Sequence, residues 1–276
     1  MDDARLYDLW MSGVNATELA AQAGVSEVRI FHDLNRVLNE RAPKMNDPGP
    51  MPAFLDRTKT KPLVGSYSML AAYKNCPHAM FRRYIKKDQP FVETPEMKWG
   101  NQVHTAFELR IGGGKPLPVE MSQWERFAKP FDGRGAVVEQ KLGITREGKP
   151  CGFFDDEVWF RGKIDVALIG DAQAYIGDFK TGKSSYEDPL ELATGAMLLR
   201  AKHLGCTTIK AQYMWLKEDR LGQMYDVSDA RGTFLKVRTM MDEIEQIRAS
   251  GEAEKQKSGL CSWCSVKDCE NWRERT

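Results

Sequence analysis

Two carboxylates and an ammonium crowd the stretch from Phe160 to Lys183, where together they could hold a divalent cation and activate water. The chain reads Phe160-Arg-Gly-Lys-Ile-Asp165-Val-Ala-Leu-Ile, a turn at Gly170-Asp-Ala-Gln173, then Ala174-Tyr-Ile-Gly-Asp178-Phe-Lys180-Thr-Gly-Lys183. A hairpin centred between positions 171 and 172 pairs residues whose numbers total 343. Asp165 and Asp178 then oppose each other, with Cβ atoms ~4.5–5.5 Å apart. Lys180, two residues further, leaves from the same face. Apposed carboxylates in a sheet need compensation. Hard oxygen ligands suit Mg²⁺ or Mn²⁺ and leave room for water, while a lysine can orient that water or stabilise charge on a phosphorane-like transition state. The competing reading, an ion-pair cluster on an exposed sheet face, is less favoured because Gly-x-Ile-Asp and the hairpin accompany the Asp-x-Lys.

Upstream, Trp99-Gly-Asn-Gln-Val-His104-Thr-Ala-Phe-Glu108 reads as a helix with His104 and Glu108 on one face. His104 could ligate metal or hold a phosphate; a helical histidine is also often merely packed. Glu139 interrupts the apolar strand around Val137-Val138 and is a further candidate acid, or an outward-facing strand residue.

Six cysteines lie at 76, 151, 206, 261, 264 and 269, three of them within the last sixteen residues. In a reducing compartment such clustering points to metal before disulfide. Soft thiolates suit zinc and iron-sulfur clusters alike. Cys151 and Cys206 have no partners in this pattern and are expected to be ordinary packed or surface residues.

Helices are expected near 66–86, 96–111, 189–204 and 229–249, and strands near 136–144, 157–169, 174–180 and 209–216. A meander of strands, then a helix, then another strand implies a mixed sheet flanked by helices. Residues 1–45 read as short helices. Leu6, Leu9 and Trp10 mark the first; Leu19, Ala20 and Ala23 the second; Gly24 the turn; Ser26 a cap; and Ile30, Leu34, Val37 and Leu38 the third. The spacing resembles a helix-turn-helix, although five Lys+Arg against seven Asp+Glu over 1–45 is a poor charge for a DNA reader. Docking or scaffolding competes evenly with DNA contact there. Pro43, Pro48, Pro50, Pro52 and Pro62 mark a semi-rigid linker over about 46–62. The expected domains are thus 1–45, linker 46–62, and 63–276.

The 276 residues are 42% apolar and 29% charged, with 40 Lys+Arg and 39 Asp+Glu, which excludes disordered, collagen-like and disulfide-scaffold classes. No apolar run approaches a membrane span and the start, Met1-Asp2-Asp3, is unlike a signal peptide, so a cytoplasmic location and no membrane partner are expected. Phe81-Arg-Arg-Tyr84-Ile-Lys86-Lys87 could track phosphates and stack bases, or be a solvated helix face.

These pieces together resemble the PD-(D/E)xK nuclease superfamily, and within it the RecB-like branch of phage exonucleases and CRISPR-associated iron-sulfur nucleases. The likeness rests on Ser66-Tyr-Ser-Met-Leu70-Ala-Ala-Tyr73-Lys-Asn-Cys76-Pro77, Gly100-Asn-Gln-Val-His104, Gly162-Lys-Ile-Asp165 and Asp178-Phe-Lys180-Thr-Gly-Lys183, in that order, and covers most of 66–276. It implies a restriction-endonuclease-like α/β fold behind a small all-α N-terminal unit. His104, Asp165, Asp178 and the Phe179 carbonyl would bind Mg²⁺ or Mn²⁺, Lys180 would be the catalytic lysine, and Glu139 an additional acid. Cys76, Cys261, Cys264 and Cys269 would bind a [4Fe-4S] cluster, with zinc the competitor. The implied activity is hydrolysis at the ends of DNA in recombination, repair or phage replication within a host cytoplasm. DNA is the implied partner, and a single-strand DNA-binding or recombination protein a candidate second one. Glu191 stands where the family usually carries Gln. The opposing reading is a non-catalytic DNA-binding or regulatory protein that keeps the fold.

Overall fold

The structure is a computed structural model. It describes residues 62–89, 92–184 and 187–274, together with 16–26 and positions 2, 5, 29 and 33. The chain divides into two compact units, Met1–Thr60 and Lys61–Thr276. In the first, helix α1 (Ala16–Ala23) buries Leu19 and Ala20, and Gly24 follows with a left-handed φ of 66°. Ser26 Oγ accepts the Arg29 N–H at 3.3 Å, an N-cap contact. The expected first helix and the apolar side of the third lie outside the described residues, as does the linker apart from Pro62.

The second unit is built on a six-stranded sheet in the order β2-β1-β3-β4-β5-β6. The strands are β1 (Val137–Ile144), β2 (Pro150–Cys151), β3 (Phe160–Ile169), β4 (Gln173–Lys180), β5 (Thr208–Trp215) and β6 (Arg220–Asp226). All neighbours run antiparallel except β4 and β5. That parallel pair needs a crossover, supplied by the helix Pro189–Lys202.

Four further helices matter: α2 (Tyr67–Asn75), α3 (Pro95–Gly113), α4 (Pro189–Lys202) and α5 (Ala230–Ser250). Local chemistry fixes their starts. Ser66, Thr94 and Asp188 each accept a backbone N–H of the first turn, from Met69, Met97 and Leu190 respectively. Pro95 and Pro189 occupy the first helical position, where a missing N–H costs nothing.

The sheet is covered on both faces. One core joins Leu70, Phe160, Ile164, Leu198, Tyr213 and Met241, under α2, α4 and α5. The other joins Val103, Phe107, Val166, Phe179 and Met214, under α3. Phe107 and Phe179 stack with centroids 4.1 Å apart, fixing α3 against β4 between Asp178 and Lys180. Two glycines allow the close approaches. A Cβ at Gly162 would fall 2.9 Å from Leu198 Cδ1, and one at Gly177 would fall 2.4 Å from Met214 Cε and 2.9 Å from Val166 Cγ1. This is the restriction-endonuclease-like mixed sheet flanked by helices that the sequence implies. Strands β2 and β6 were not expected, and the segment near 66–86 is α2, a one-turn helix at Pro77–Met80 and a π-helical stretch at Phe81–Lys86 rather than one helix. Among the described residues, no helix is long and apolar enough to cross a membrane.

Candidate active site

The hairpin has the expected register, Val166↔Gly177 through Ile169↔Ala174. It ends one step before Asp165 and Asp178, so the anticipated rung between these two is not formed. On the other side the ladder passes from Val138↔Val166 to Gln140↔Ile164 and skips Glu139 and Asp165. Glu139 carries a left-handed φ of 50°, uncommon for a side-chain-bearing residue and concentrated at functional sites. The sheet therefore opens at this level. Asp165 Oδ2 turns to accept the Phe179 N–H at 2.9 Å, so the backbone of β4 holds it in place of a cross-strand partner.

Into this opening α3 projects His104. Its Nδ1 lies 3.2 Å from Asp165 Oδ1 and 3.5 Å from Glu139 Oε1, and ligand atoms of the three residues all fall within 4.8 Å of one another. The contacts are close but poorly aligned, leaving Nδ1 buried without a well-formed hydrogen bond. Burial disfavours the imidazolium, but Asp165, Glu139 and Asp178 outweigh it and raise the His104 pKa to about 10. Burial alone would raise Glu139; His104 and Lys163, which forms an ion pair with it, hold it below the usual carboxylate range. Glu108 lies on the exposed side of α3.

Asp178 and Lys180 share a side of β4, as alternation requires. Lys180 Nζ lies 2.9 Å from Asp178 Oδ1, 2.9 Å from Glu191 Oε2 and 5.3 Å from the Tyr213 ring centroid. Burial raises the Asp178 pKa, Lys180 opposes this, and the nearby Asp165 and Glu191 carboxylates add to the rise. For Lys180 burial works against the charge, yet Asp178 and Glu191 more than offset it and keep the ammonium protonated. Asp178 Oδ1 is a second buried polar atom of the site with no aligned hydrogen bond. An imidazole nitrogen and a carboxylate oxygen left unsatisfied in this way fit a hard or borderline divalent cation.

Behind Lys180 stands a support that sequence reasoning missed. Tyr213 OH lies 2.7 Å from Asp188 O and 3.1 Å from Glu191 Oε2, its single proton shared between the two acceptors. Asp188 Oδ2 accepts from Lys74 Nζ at 2.7 Å and from Tyr67 OH at 3.2 Å. The Asp188-Pro189 pair was the readable signal, a cap followed by proline at the first helical position.

The thiols of Cys76, Cys261, Cys264 and Cys269 line one cavity of about 580 Å³, with Trp263 and Trp272. Backbone N–H groups of Ser258 and Val266 point at the Cys261 and Cys264 sulfurs at 3.3 and 3.5 Å. Burial pushes the Cys264 thiol up; the Val266 N–H opposes this, while the neighbouring thiols of Cys76, Cys269 and Cys261 reinforce it. Arg82 reaches Asp268 at 3.1 Å and also pairs with Asp88, so one of the basic residues of the Phe81–Lys87 run ties down the tail. Cys206 is buried, its Sγ donating to Gly170 O at 3.2 Å, and Cys151 is half-buried in β2.

None of the curated proteins matches the chain. Among solved structures it is similar to SSO0001, 14% identical, with a TM-score of 0.42 over 78% of this chain and 89% of that one. It is also similar to a Eubacterium rectale protein provisionally named an exonuclease, 13% identical, with a TM-score of 0.42 over 75% of this chain and 88% of that one. The family model of the PD-(D/E)XK nuclease superfamily matches residues 65–269, which spans β1 to β6, the carboxylates, the lysine and all four clustered cysteines. The chain belongs to the PD-(D/E)XK nuclease superfamily, a membership that implies a metal-dependent nuclease.

Proposed function

We propose that this protein is a Mg²⁺- or Mn²⁺-dependent deoxyribonuclease that hydrolyses phosphodiester bonds at DNA ends. The observation that carries the reading is the meeting of His104, Glu139 and Asp165 within 4.8 Å, beside an Asp178–Lys180 ion pair. In this reading His104, Glu139, Asp165, Asp178 and the Phe179 carbonyl hold the ion. A divalent cation bound there supplies Lewis-acid polarisation of the phosphodiester and lowers the pKa of a water. Asp165 is kept in place by the Phe179 N–H, so its free oxygen stays directed at His104. His104 must surrender its proton before Nδ1 can serve as a ligand. Lys180, charged and fixed by two carboxylates, presents an ammonium to negative charge that builds on the phosphate oxygens.

The four clustered thiols are proposed to hold a [4Fe-4S] cluster. Support comes from their sharing one cavity and from two N–H groups aimed at sulfur, a known means of tuning such sites. Anaerobic purification should give brown protein containing iron and sulfide; colourless protein with one zinc would assign the site to zinc instead.

The activity is tested on end-labelled linear DNA and on closed circular DNA with Mn²⁺, comparing the native chain with Asp178→Ala and Lys180→Ala. Loss of linear-DNA degradation in both variants, with circles spared, is expected. No degradation even by the native chain would favour a binding protein that keeps the fold, and equal degradation by all three would mean a contaminant.

A further inference from the structure

Strand β3 carries more than Asp165. Lys163 and Arg161 lie two and four residues before it and share one face with each other by alternation, and Lys163 reaches the site through Glu139, which meets His104 as Asp165 does. Lys141 on β1 is the register partner of Lys163. At the start of this row the turn between β2 and β3 raises two aromatic rings. Phe154 is 75% exposed, an unusual position for so large an apolar group.

That exposure is built into the turn. Gly152 N–H donates to Asp155 Oδ2 at 2.5 Å, and the Asp155 and Val158 N–H groups donate to Gly152 O and Asp155 O, both at 3.2 Å. Arg161 donates to the Phe153 carbonyl at 3.0 Å, and its guanidinium lies 4.6 Å from the Phe153 ring centroid and 5.5 Å from that of Phe154. Lys141 Nζ is 5.7 Å from the Phe154 centroid. The two rings meet edge to face at 4.9 Å. A ring held this way has little conformational freedom left to lose on binding.

We propose that the Phe153–Phe154 turn is a stacking seat for an unpaired base of the DNA strand whose phosphates follow Arg161, Lys141 and Lys163 toward Asp165. The proposal rests on the nuclease reading and adds the form of substrate recognised, a strand end with an unpaired base. An aromatic platform beside a row of cations is the general means of gripping single strands, because every base has a face to stack and every nucleotide a charge. Two features sharpen the assignment. Lys163 pairs with Glu139, so Arg161 and Lys141 are the cations nearest the ring. The turn itself bears Asp155, Asp156 and Glu157, all exposed, which repel phosphate from its tip and leave the ring to a base. Four strand steps lead from Arg161 to Asp165, about 13 Å, or about four stacked nucleotides at ~3.4 Å each.

The test uses the full chain carrying Asp178→Ala, so that the strand survives, and single-stranded oligonucleotides with 2-aminopurine placed at each of the first six positions from either end. Quenching on binding should peak near the fourth position from one end. Adding Phe154→Ala should abolish that peak and weaken binding about tenfold; Phe154→Trp should restore both. Unchanged quenching and affinity in Phe154→Ala, with DNA still bound, would overturn the seat and leave the nuclease reading intact. Failure of the chain with its native turn to bind any oligonucleotide, together with a native chain inert on DNA, would overturn both.

Discussion

Glu191 Oε2 lies 2.9 Å from Lys180 Nζ, the same distance at which Asp178 Oδ1 meets that ammonium. The lysine of the Asp-x-Lys pair is therefore shared between two acids, one on its own strand and one on the first turn of α4. By the sequence resemblance, the second acid stands where an amide is expected. Replacing Glu191 by Gln keeps a group that can accept from Tyr213 and removes one competitor for the ammonium. Weakening one partly exposed ion pair is worth ~0.5–1 kcal/mol, so the single-turnover rate on linear DNA should rise about threefold. Glu191→Ala, which also abandons Tyr213, should lower it. A fall of tenfold or more in Glu191→Gln would show instead that the carboxylate itself is required.

Lys180 neutralises Asp178 and Glu191 as well as serving the proposed chemistry. Lys180→Met should reduce DNA cleavage about 10²–10³-fold. It also leaves the two acids uncompensated, which should cost ~1–3 kcal/mol of stability, less than for a fully buried pair because the lysine is partly exposed. Urea denaturation at neutral pH would register the loss. Full native stability in the variant would mean the acids are already neutralised from elsewhere.

His104 gives a pH dependence with a definite sign. Its folded-state pKa is raised to about 10 from an ordinary value near 6.5. A group raised on folding contributes stability that is fully present below its unfolded pKa and is lost as pH climbs through the folded one. In chelator, the native chain should therefore lose stability between about pH 6.5 and about pH 10, and His104→Gln should show a flatter profile over that window. At pH 8, Mn²⁺ binding should release about one proton, seen as a buffer-dependent heat in calorimetry. Identical pH profiles for the two proteins would remove His104 from the account.

Asp188 joins three elements: it caps α4, accepts from Lys74 and Tyr67 on α2, and through its carbonyl holds Tyr213 of β5. Asp188→Ala should cost ~1–2 kcal/mol and lower kcat through Tyr213, Glu191 and Lys180. Asp188→Asn, which keeps a cap acceptor, should recover most of the stability. A kcat loss with no change in melting temperature in Asp188→Ala would contradict this coupling.

The hairpin register was legible because the short Gly170–Gln173 turn between two apolar runs fixes the pairing once its centre is placed between 171 and 172. Its failure at Asp165 was not, since that depends on a left-handed Glu139 in another strand, which no local pattern announces. Strand β6 escaped notice for a related reason. Arg220-Leu-Gly-Gln-Met-Tyr-Asp226 is an edge strand with most side chains exposed, so it lacks the buried face that makes alternation visible. The residues in contact around the site came instead from motif spacing: His104, Asp165, Asp178 and Lys180 could be named, as could the oddity of Glu191. Tyr213 and Asp188 could not be linked to them, because their relation exists only after the β4–α4–β5 crossover is made.

Cys76 belongs to the first elements of its unit to leave the ribosome, whereas Cys269 follows 193 positions later. The four-thiol cavity therefore has no complete lining until synthesis has passed residue 269, and the Arg82 to Asp268 tie forms no sooner. A chain terminated before residue 269 would carry its sheet and carboxylates with that corner unclosed.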